Sequence, residues 1–188
     1  MATDTSRVTI HMVSSLDGYI AKKDGSVSWL QTSDSYEKGV IGENAEEFLK
    51  TIDCFVLGSR TYEQALTLGW PYGDVPTIVL THRDLPSDRE NVQFYSGDLN
   101  TLISDRLRSQ YKNIWLVGGA TLAQDFIRLQ LADDIRLSIV PIMLGEGMRF
   151  LERIGREQAL HLKDVTAYRD GMVELWYEIK RDFRVLNG

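Results

Sequence analysis

The stretch Ile114-Trp115-Leu116-Val117-Gly118-Gly119-Ala120 decides the fold class of this 188-residue chain. Its apolar run predicts a strand buried on both faces, and its two glycines predict a tight turn into a helix that runs to about Leu129. An apolar run that stops at small or polar residues recurs at Ile52–Leu57 and Thr77–Leu80. Buried strands that alternate with helices predict an α/β fold with a mostly parallel sheet.

The flanking segments extend this pattern. Val8–Ser14 and Ile135–Ile142 predict further strands, and Leu99–Arg108 predicts an amphipathic helix. Near the C-terminus, Arg169-Asp170-Gly171 separates two strand-like segments and predicts an antiparallel hairpin. The chain contains neither an internal repeat nor a linker. We therefore expect one domain over residues 1–188, with helices on both faces of a mostly parallel central sheet and a C-terminal hairpin.

Composition excludes several classes of function. The formal net charge is −6 and the pI about 5.1, whereas a nucleic-acid-binding protein needs a concentrated basic face to displace counterions. No apolar run approaches the ~20 residues that span a bilayer, and the polar residues 1–7 lack the apolar core of a signal peptide. The single cysteine, Cys54, fits a buried packing role in a reducing compartment. We expect a cytoplasmic protein without nucleic-acid or membrane partners.

Metal binding is not predicted either. Neither His11 nor His161 has cysteine, histidine or paired carboxylate neighbours at the spacing of metal ligands.

The ends of the three buried strands combine the features of a phosphate-binding edge. In open parallel sheets, ligands bind beyond the carboxyl ends of the strands. Glycines at these ends let a ligand approach the backbone, and the amides of a helix's first turn attract anions. Arg60, His82 and Arg83 would add positive charge beside them. The chain lacks the dinucleotide glycine fingerprint and the P-loop pattern, which disfavours a Rossmann dehydrogenase or a P-loop nucleotidase.

Four segments, in the expected order, resemble the dihydrofolate-reductase superfamily. Ser15-Leu16-Asp17-Gly18-Tyr19-Ile20-Ala21 resembles the first loop of its riboflavin-biosynthesis reductase branch, including stand-alone relatives. Gly58-Ser59-Arg60-Thr61-Tyr62-Glu63 and the Ile114–Ala120 stretch resemble the two glycine turns of dihydrofolate reductases. Pro141-Ile142-Met143-Leu144-Gly145-Glu146-Gly147 resembles a segment typical of the riboflavin branch. The resemblance covers about Val8 to Phe150 and implies a dihydrofolate-reductase-like fold.

This resemblance implies that NADPH is the cofactor and assigns residues to it. The nicotinamide and substrate end would be lined by Val13, Ile20 and Ala21. The phosphates would contact Gly58, Ser59, Arg60 and Thr61, and the pyrophosphate would lie on Gly118, Gly119, Ala120, Thr121 and Leu122. The adenosine end would lie near Thr81, His82 and Arg83. Positive charge there would favour the extra 2′-phosphate of NADPH over NADH.

The resemblance leaves the catalytic acid open. Dihydrofolate reductases carry an acidic residue in the helix after the first loop. Alignment forward from Trp29 puts Asp34 at that position, whereas alignment back from Phe48 puts Asn44 there. In the riboflavin branch, Asp17 and Glu146 are the candidate polar groups. Asp17 fits a turn-capping role equally well, and Glu146 fits a solvated loop residue.

The predicted function is an NADPH-dependent reductase of a small molecule, similar to the riboflavin-pathway 5-amino-6-(5-phosphoribosylamino)uracil reductase. The alternatives are a dihydrofolate or pterin reductase and a non-catalytic NADPH-binding protein of the same fold. Trp29 and Trp70-Pro71-Tyr72 fit either a substrate wall or the core, whereas Trp115 and Trp176 are predicted to be structural. Ile135–Ile142, with the C-terminal strands, fits a homodimer face or ordinary core strands.

Overall fold

A single large sheet forms the centre of the computed structural model, which describes residues 6–42 and 45–181. The strands are β1 (Arg7–Ser15), β2 (Tyr19–Ala21), β3 (Cys54–Gly58), β4 (Thr77–Leu80), β5 (Val92–Tyr95), β6 (Asn113–Gly118), β7 (Asp134–Val140), β8 (Met148–Arg149), β9 (Leu160–Ala167) and β10 (Val173–Ile179). Eight of them form the sheet, in the order β5-β4-β3-β6-β1-β7-β10-β9. The first six run parallel, and β10 and β9 form the antiparallel hairpin. The predicted fold class is confirmed.

The helices are α1 (Ala45–Leu49), α2 (Ser59–Thr67), α3 (Arg108–Gln110) and α4 (Ala120–Arg128), and Ser28–Leu30 forms a 3₁₀ turn. The helix predicted over Leu99–Arg108 is instead a π-helical segment, Thr101–Leu107, that leads into α3. Leu102 and Leu107, both fully buried, lie five residues apart, which matches the wider π turn. In the described part of the chain, no helix is long and apolar enough to cross a membrane.

Side chains of the central strands alternate between two cores. Ile10, Val56 and Leu116 face the core that the π-helical segment and α4 cover. Phe55 and Trp115 face the opposite core, which α2 and the Trp70–Tyr72 segment cover. Cys54 is fully buried in the first core, as the sequence predicted, and burial raises the pKa of its thiol to about 12. Strands buried on both faces explain the nearly unbroken apolar runs of the sequence.

The loop before α1 packs on the C-terminal hairpin. The Tyr36 amide donates a hydrogen bond to the Arg169 carbonyl at 2.7 Å, and Val40 pairs with Tyr168 in an isolated parallel bridge. A Cβ on Gly39 would lie 2.4 Å from the Tyr168 carbonyl oxygen, so this contact requires glycine. The crossing fixes the stretch between Trp29 and Phe48, where the two alignments of the acid disagree.

Candidate cofactor and substrate site

Two helix N-termini meet at the carboxyl edge of the parallel strands. α2 begins at Ser59 directly after β3, and α4 begins at Ala120 after the glycine turn that ends β6. The strands β3 and β6 are neighbours in the sheet. Neither helix has a side-chain hydrogen bond at its N-cap residue, Gly58 or Gly119. The first-turn amides of both nine-residue helices therefore present their partial positive charge at the same edge.

The glycines let the two turns approach each other closely. A Cβ on Gly58 would lie 3.5 Å from the Gly119 nitrogen. Gly118 has a φ of 145° and is followed by a cis peptide bond to Gly119. A Cβ on Gly118 would lie 3.3 Å from the Thr61 hydroxyl oxygen. Because side chains would fill this junction, glycine keeps backbone amides accessible to a ligand.

A cavity of about 370 Å³ opens beside this glycine junction, on the sheet face that carries Phe55 and Trp115. The sheet contributes His11, Val13, Phe55, Trp115 and Val117 to its wall. Helices and the segments that follow them contribute Phe48, Leu49, Thr61, Gln64, Leu68 and Tyr72. The first loop closes it with Ile20, Val27 and Leu30. The cavity is therefore mainly apolar and aromatic, which is typical of small-molecule sites.

The structure brings part of the predicted cofactor set together around this cavity. Val13, Ile20, Thr61, Gly118 and Gly119 all line it. Ser59 and the exposed Arg60 lie in the first turn of α2, and Ala120 to Leu122 form the first turn of α4. The nicotinamide-end and pyrophosphate-end predictions thus meet at one place.

Ala21 does not line the cavity, contrary to the role implied for it. It is buried, and its carbonyl oxygen would lie 2.2 Å from a Cβ on Gly147. It pairs with Met148 in the two-stranded sheet of β2 and β8. Ala21 is therefore committed to holding the first loop against the segment that precedes β8.

The segment after β4 lies one strand further along the same edge. The Arg83 amide donates a hydrogen bond to the Thr81 hydroxyl at 2.9 Å. The Arg83 guanidinium is hydrogen-bonded to Glu63 of α2, and both side chains are about half exposed. His82 is exposed. Because Glu63 offsets the charge of Arg83, Arg60 is the stronger candidate for a phosphate contact.

Asp17 holds the fourth sequence motif in place. Its carboxylate accepts hydrogen bonds from the Ser15 hydroxyl at 2.6 Å, the Leu144 amide at 3.0 Å and the Gly145 amide at 2.7 Å. The Ser15 hydroxyl, followed by the two amides, lowers the pKa of Asp17 to about 2. A carboxylate with this pKa is ionised at neutral pH and cannot donate a proton. The structure thus places Asp17 as an anchor between two loops, which extends the predicted turn-capping role.

Neither of the other predicted acids lines the cavity. Asp34 is exposed, and its Oδ2 atom would lie 2.2 Å from a Cβ on Gly171, at the turn of the C-terminal hairpin. Glu146 is exposed and pairs with Lys23 at 2.5 Å. The alternative position for the acid, Asn44, lies outside the described residues. The sequence thus predicted acidic residues that the structure does not bring together.

His11 is a cavity residue that the motifs did not reveal. Its ring packs against Trp115 with centroids 4.7 Å apart, and both rings line the cavity. Burial, reinforced by the positive charge of Arg136, lowers the pKa of His11 to about 4. The imidazole is therefore neutral at pH 7. Strand alternation was the available signal, because it puts His11 on the same face of β1 as Val13.

The purely structural role predicted for Trp115 was incomplete, since its ring also forms a wall of the cavity. Of the other aromatic candidates, Pro71 and Tyr72 line the cavity, whereas Trp29 and Trp70 are buried outside its lining. Trp176 lines a neighbouring cleft with Arg136.

The described cavity lining contains no Asp, Glu, Lys or Arg. Across residues 6–42 and 45–181, no group of three or more His, Cys, Asp or Glu side chains is placed to hold a metal ion. Chemistry here rests on neutral polar groups, backbone amides and any molecule that the edge binds.

The sheet order, the paired glycine turns and the cavity between them define a dihydrofolate-reductase-like α/β domain. Residues 6–173 match the RibD C-terminal domain family, and the chain belongs to that family. It is a domain of the kind found in riboflavin-biosynthesis reductases.

Similar proteins agree with this assignment. The uncharacterised protein YwjB of Bacillus subtilis (strain 168) is 32% identical over 174 residues, which cover 91% of this chain and 97% of YwjB. A proposed riboflavin biosynthesis protein of Shewanella sp. PV-4 has a TM-score of 0.80 and 25% identity, over 93% of this chain and 99% of that chain. A Thermotoga maritima diaminohydroxyphosphoribosylaminopyrimidine deaminase/5-amino-6-(5-phosphoribosylamino)uracil reductase matches with a TM-score of 0.63 and 14% identity, over 94% of this chain and 57% of that chain. This last likeness shows the fold alone.

Proposed function

We propose that the protein is an NADPH-dependent reductase that acts on a small ring compound, in a reaction of the type catalysed by 5-amino-6-(5-phosphoribosylamino)uracil reductases. One observation carries the proposal: two helix N-termini without side-chain caps converge on a glycine junction that opens into an apolar cavity. The named activity of the Thermotoga maritima relative supplies the reaction type.

The residues at the edge fit the cofactor. A pyrophosphate is an anion that backbone amides at helix N-termini bind well, and the glycines leave room for it. Arg60, exposed in the first turn of α2, would pair with a phosphate. Val13 and Ile20 would contact the nicotinamide, since they line the cavity beside Gly118 and Gly119.

The chain itself would position two reactants and exclude water. NADPH, when bound, would supply the hydride. The apolar wall around Phe55 and Trp115 would hold a flat acceptor and keep solvent from the transfer. The neutral imidazole of His11 would orient it through one donated and one accepted hydrogen bond. Because the described lining offers no carboxyl group, water at the cavity mouth would supply the proton.

This proton source favours the riboflavin-type reaction over dihydrofolate reduction. Reduction of dihydrofolate requires protonation of a pterin nitrogen, for which dihydrofolate reductases use an acidic side chain. Asp34, Asp17 and Glu146 all lie outside the cavity lining. An unprotonated Asp17 would be a poor proton source even at the cavity mouth.

The cofactor part of the proposal is tested by titrating the protein with NADPH and recording nicotinamide fluorescence. We expect saturable binding that the double variant Arg60→Ala/Arg83→Ala weakens more for NADPH than for NADH. The matched control is Arg128→Ala, since Arg128 is an exposed arginine in the last turn of α4, at the end remote from Gly119. No binding at millimolar NADPH would remove the proposal, and an unchanged cofactor preference in the double variant would remove the role of the arginines.

A homodimer is part of the proposal. The β9–β10 pairing skips Lys163, which places Leu162 and Val165 on one face of the sheet, opposite Tyr177 and Leu175. Leu162 is 47% exposed and Val165 is 52% exposed. A second copy would cover this apolar face. We also assign the protein to the cytoplasm, where the thiol of Cys54 stays reduced.

A further inference from the structure

We infer that the acceptor reduced in this cavity is an uncharged planar ring compound without a phosphate group. The inference rests on the proposed function and defines the substrate class of the same site.

The cavity wall offers flat apolar surfaces and no ionic partner. Phe55, Tyr72 and Trp115 supply aromatic faces, and the described lining holds neither a cation nor a carboxylate. The Gln64 amide, one of its few polar groups, donates a hydrogen bond to the Gly25 carbonyl at 3.3 Å. A phosphate moved into such a place would lose its hydration without gaining a counter-charge, which is strongly unfavourable. An uncharged ring would gain from contact with the aromatic faces.

The neighbouring cleft does not supply the missing cation. Phe48 lines both spaces and separates the cavity from the cleft, in which two arginines are accompanied by three carboxylates: Arg136, Arg169, Asp164, Asp170 and Glu174. Arg136 is already engaged, because it pairs with Glu174 and its guanidinium lies 4.9 Å from the ring of Trp176 and 5.5 Å from that of Trp115. A phosphate that extended from the cavity into this cleft would meet an excess of negative charge.

The remaining polar group suits a neutral acceptor. Burial lowers the pKa of His11 to about 4, so its imidazole is uncharged at pH 7. A neutral imidazole donates one hydrogen bond and accepts one, which matches the amide-like edge of a pyrimidine or pterin ring. The cavity volume of about 370 Å³ lies near the lower end of ligand sites, ~300–1,000 Å³. It suits one or two fused rings better than a phosphorylated sugar conjugate.

Matched pairs of ligands test this inference, with binding measured by tryptophan fluorescence in the absence of cofactor. The first pair is 5-amino-6-(5-phosphoribosylamino)uracil and its dephosphorylated form, and the second is 6-hydroxymethylpterin and its phosphate ester. We expect the unphosphorylated member to bind at least about tenfold more tightly in each pair. Equal or tighter binding of a phosphorylated member, or no binding of either uncharged member, would overturn the inference. Since no cofactor is present, these results are independent of whether NADPH binds.

A gain of charge locates the effect in the cavity. Leu68 lines the cavity and is 64% exposed, so Leu68→Arg should be accommodated at its mouth. Leu66, two residues earlier and 44% exposed, does not line it and provides the matched control Leu66→Arg. We expect Leu68→Arg to reduce the discrimination against phosphate by at least about fivefold, and Leu66→Arg to leave it unchanged. An equal effect of both variants would overturn the assignment of the discrimination to this cavity.

Discussion

The ring of His11 packs against the ring of Trp115, with centroids 4.7 Å apart and planes inclined at 53°. Thr9 pairs with Trp115 across β1 and β6, so His11 lies two residues further along β1 on the same face. The contact joins a titratable group to the wall of the cavity. Burial here, together with the charge of Arg136, keeps the imidazole neutral.

This contact predicts a specific acid sensitivity. The pKa of His11 is lowered from 6.5 to about 4, so the unfolded chain binds a proton that the folded protein refuses in this pH window. The stabilisation is complete above pH 6.5 and is lost as the pH falls to about 4. We expect the urea midpoint of the wild type to fall more between about pH 7 and about pH 4.5 than that of His11→Gln. His161→Gln, which removes an exposed imidazole on β9, should fall as the wild type does. Equal decreases in the wild type and His11→Gln would contradict this prediction.

Asp17 should act on the loop that precedes β8 rather than on the chemical step. Asp17→Asn removes the charge that the Leu144 and Gly145 amides contact. We expect faster hydrogen exchange of these two amides and a lower thermal midpoint. The wild type should lose this stabilisation as the pH falls from 3.8 to about 2, since the folded pKa is the lower one.

The control for this change is Asp24→Asn. Asp24 accepts a hydrogen bond from the Ser26 amide in an exposed turn of the same loop. It should leave the exchange of Leu144 and Gly145 unaltered. Loss of turnover in Asp17→Asn without faster exchange would instead assign Asp17 a catalytic role.

Gly118→Ala should weaken both folding and cofactor binding. Alanine is strained at the φ of 145°, and its Cβ would press on the Thr61 hydroxyl at 3.3 Å. We expect a loss of ~1–3 kcal/mol in the free energy of unfolding and a rise in the dissociation constant of NADPH. Gly155→Ala is the matched control, because Gly155 has a φ of 78° but open space around it and lies outside the cavity lining. It should lower stability only and leave NADPH affinity unchanged. Unaltered NADPH binding by Gly118→Ala would contradict the placement of the cofactor.

The double variant Leu162→Lys/Val165→Lys tests the homodimer. Two charges on the apolar face of β9 would have to be buried in the proposed interface, which is unfavourable. We expect light scattering to give a dimer mass for the wild type and a monomer mass for the variant. Leu129→Lys, at an exposed leucine just after α4, should remain dimeric. A monomeric wild type would contradict the proposal directly.

Local patterns in the sequence determined the fold class and the family. Apolar runs of strand length, each followed by glycine or polar residues, encode parallel strands that end at one edge, because a strand buried on both faces must be apolar throughout. The glycine turns before α2 and α4 were predictable for the same reason, since only glycine permits such close approach of the backbone at Gly118.

Tertiary structure alone decided which side chains share the cavity. His11 meets Trp115, and Asp17 meets Leu144, across more than a hundred residues of chain. Such contacts depend on strand order and register. Asp34 fits a family pattern when counted from Trp29, yet packing of its loop on the C-terminal hairpin carries it to Gly171. The sequence by itself thus determined a dihydrofolate-reductase-like domain with an anion-binding edge. Folding determined that the cavity beside this edge is uncharged in its described lining, because the pairing of distant strands selects the face on which each side chain lies.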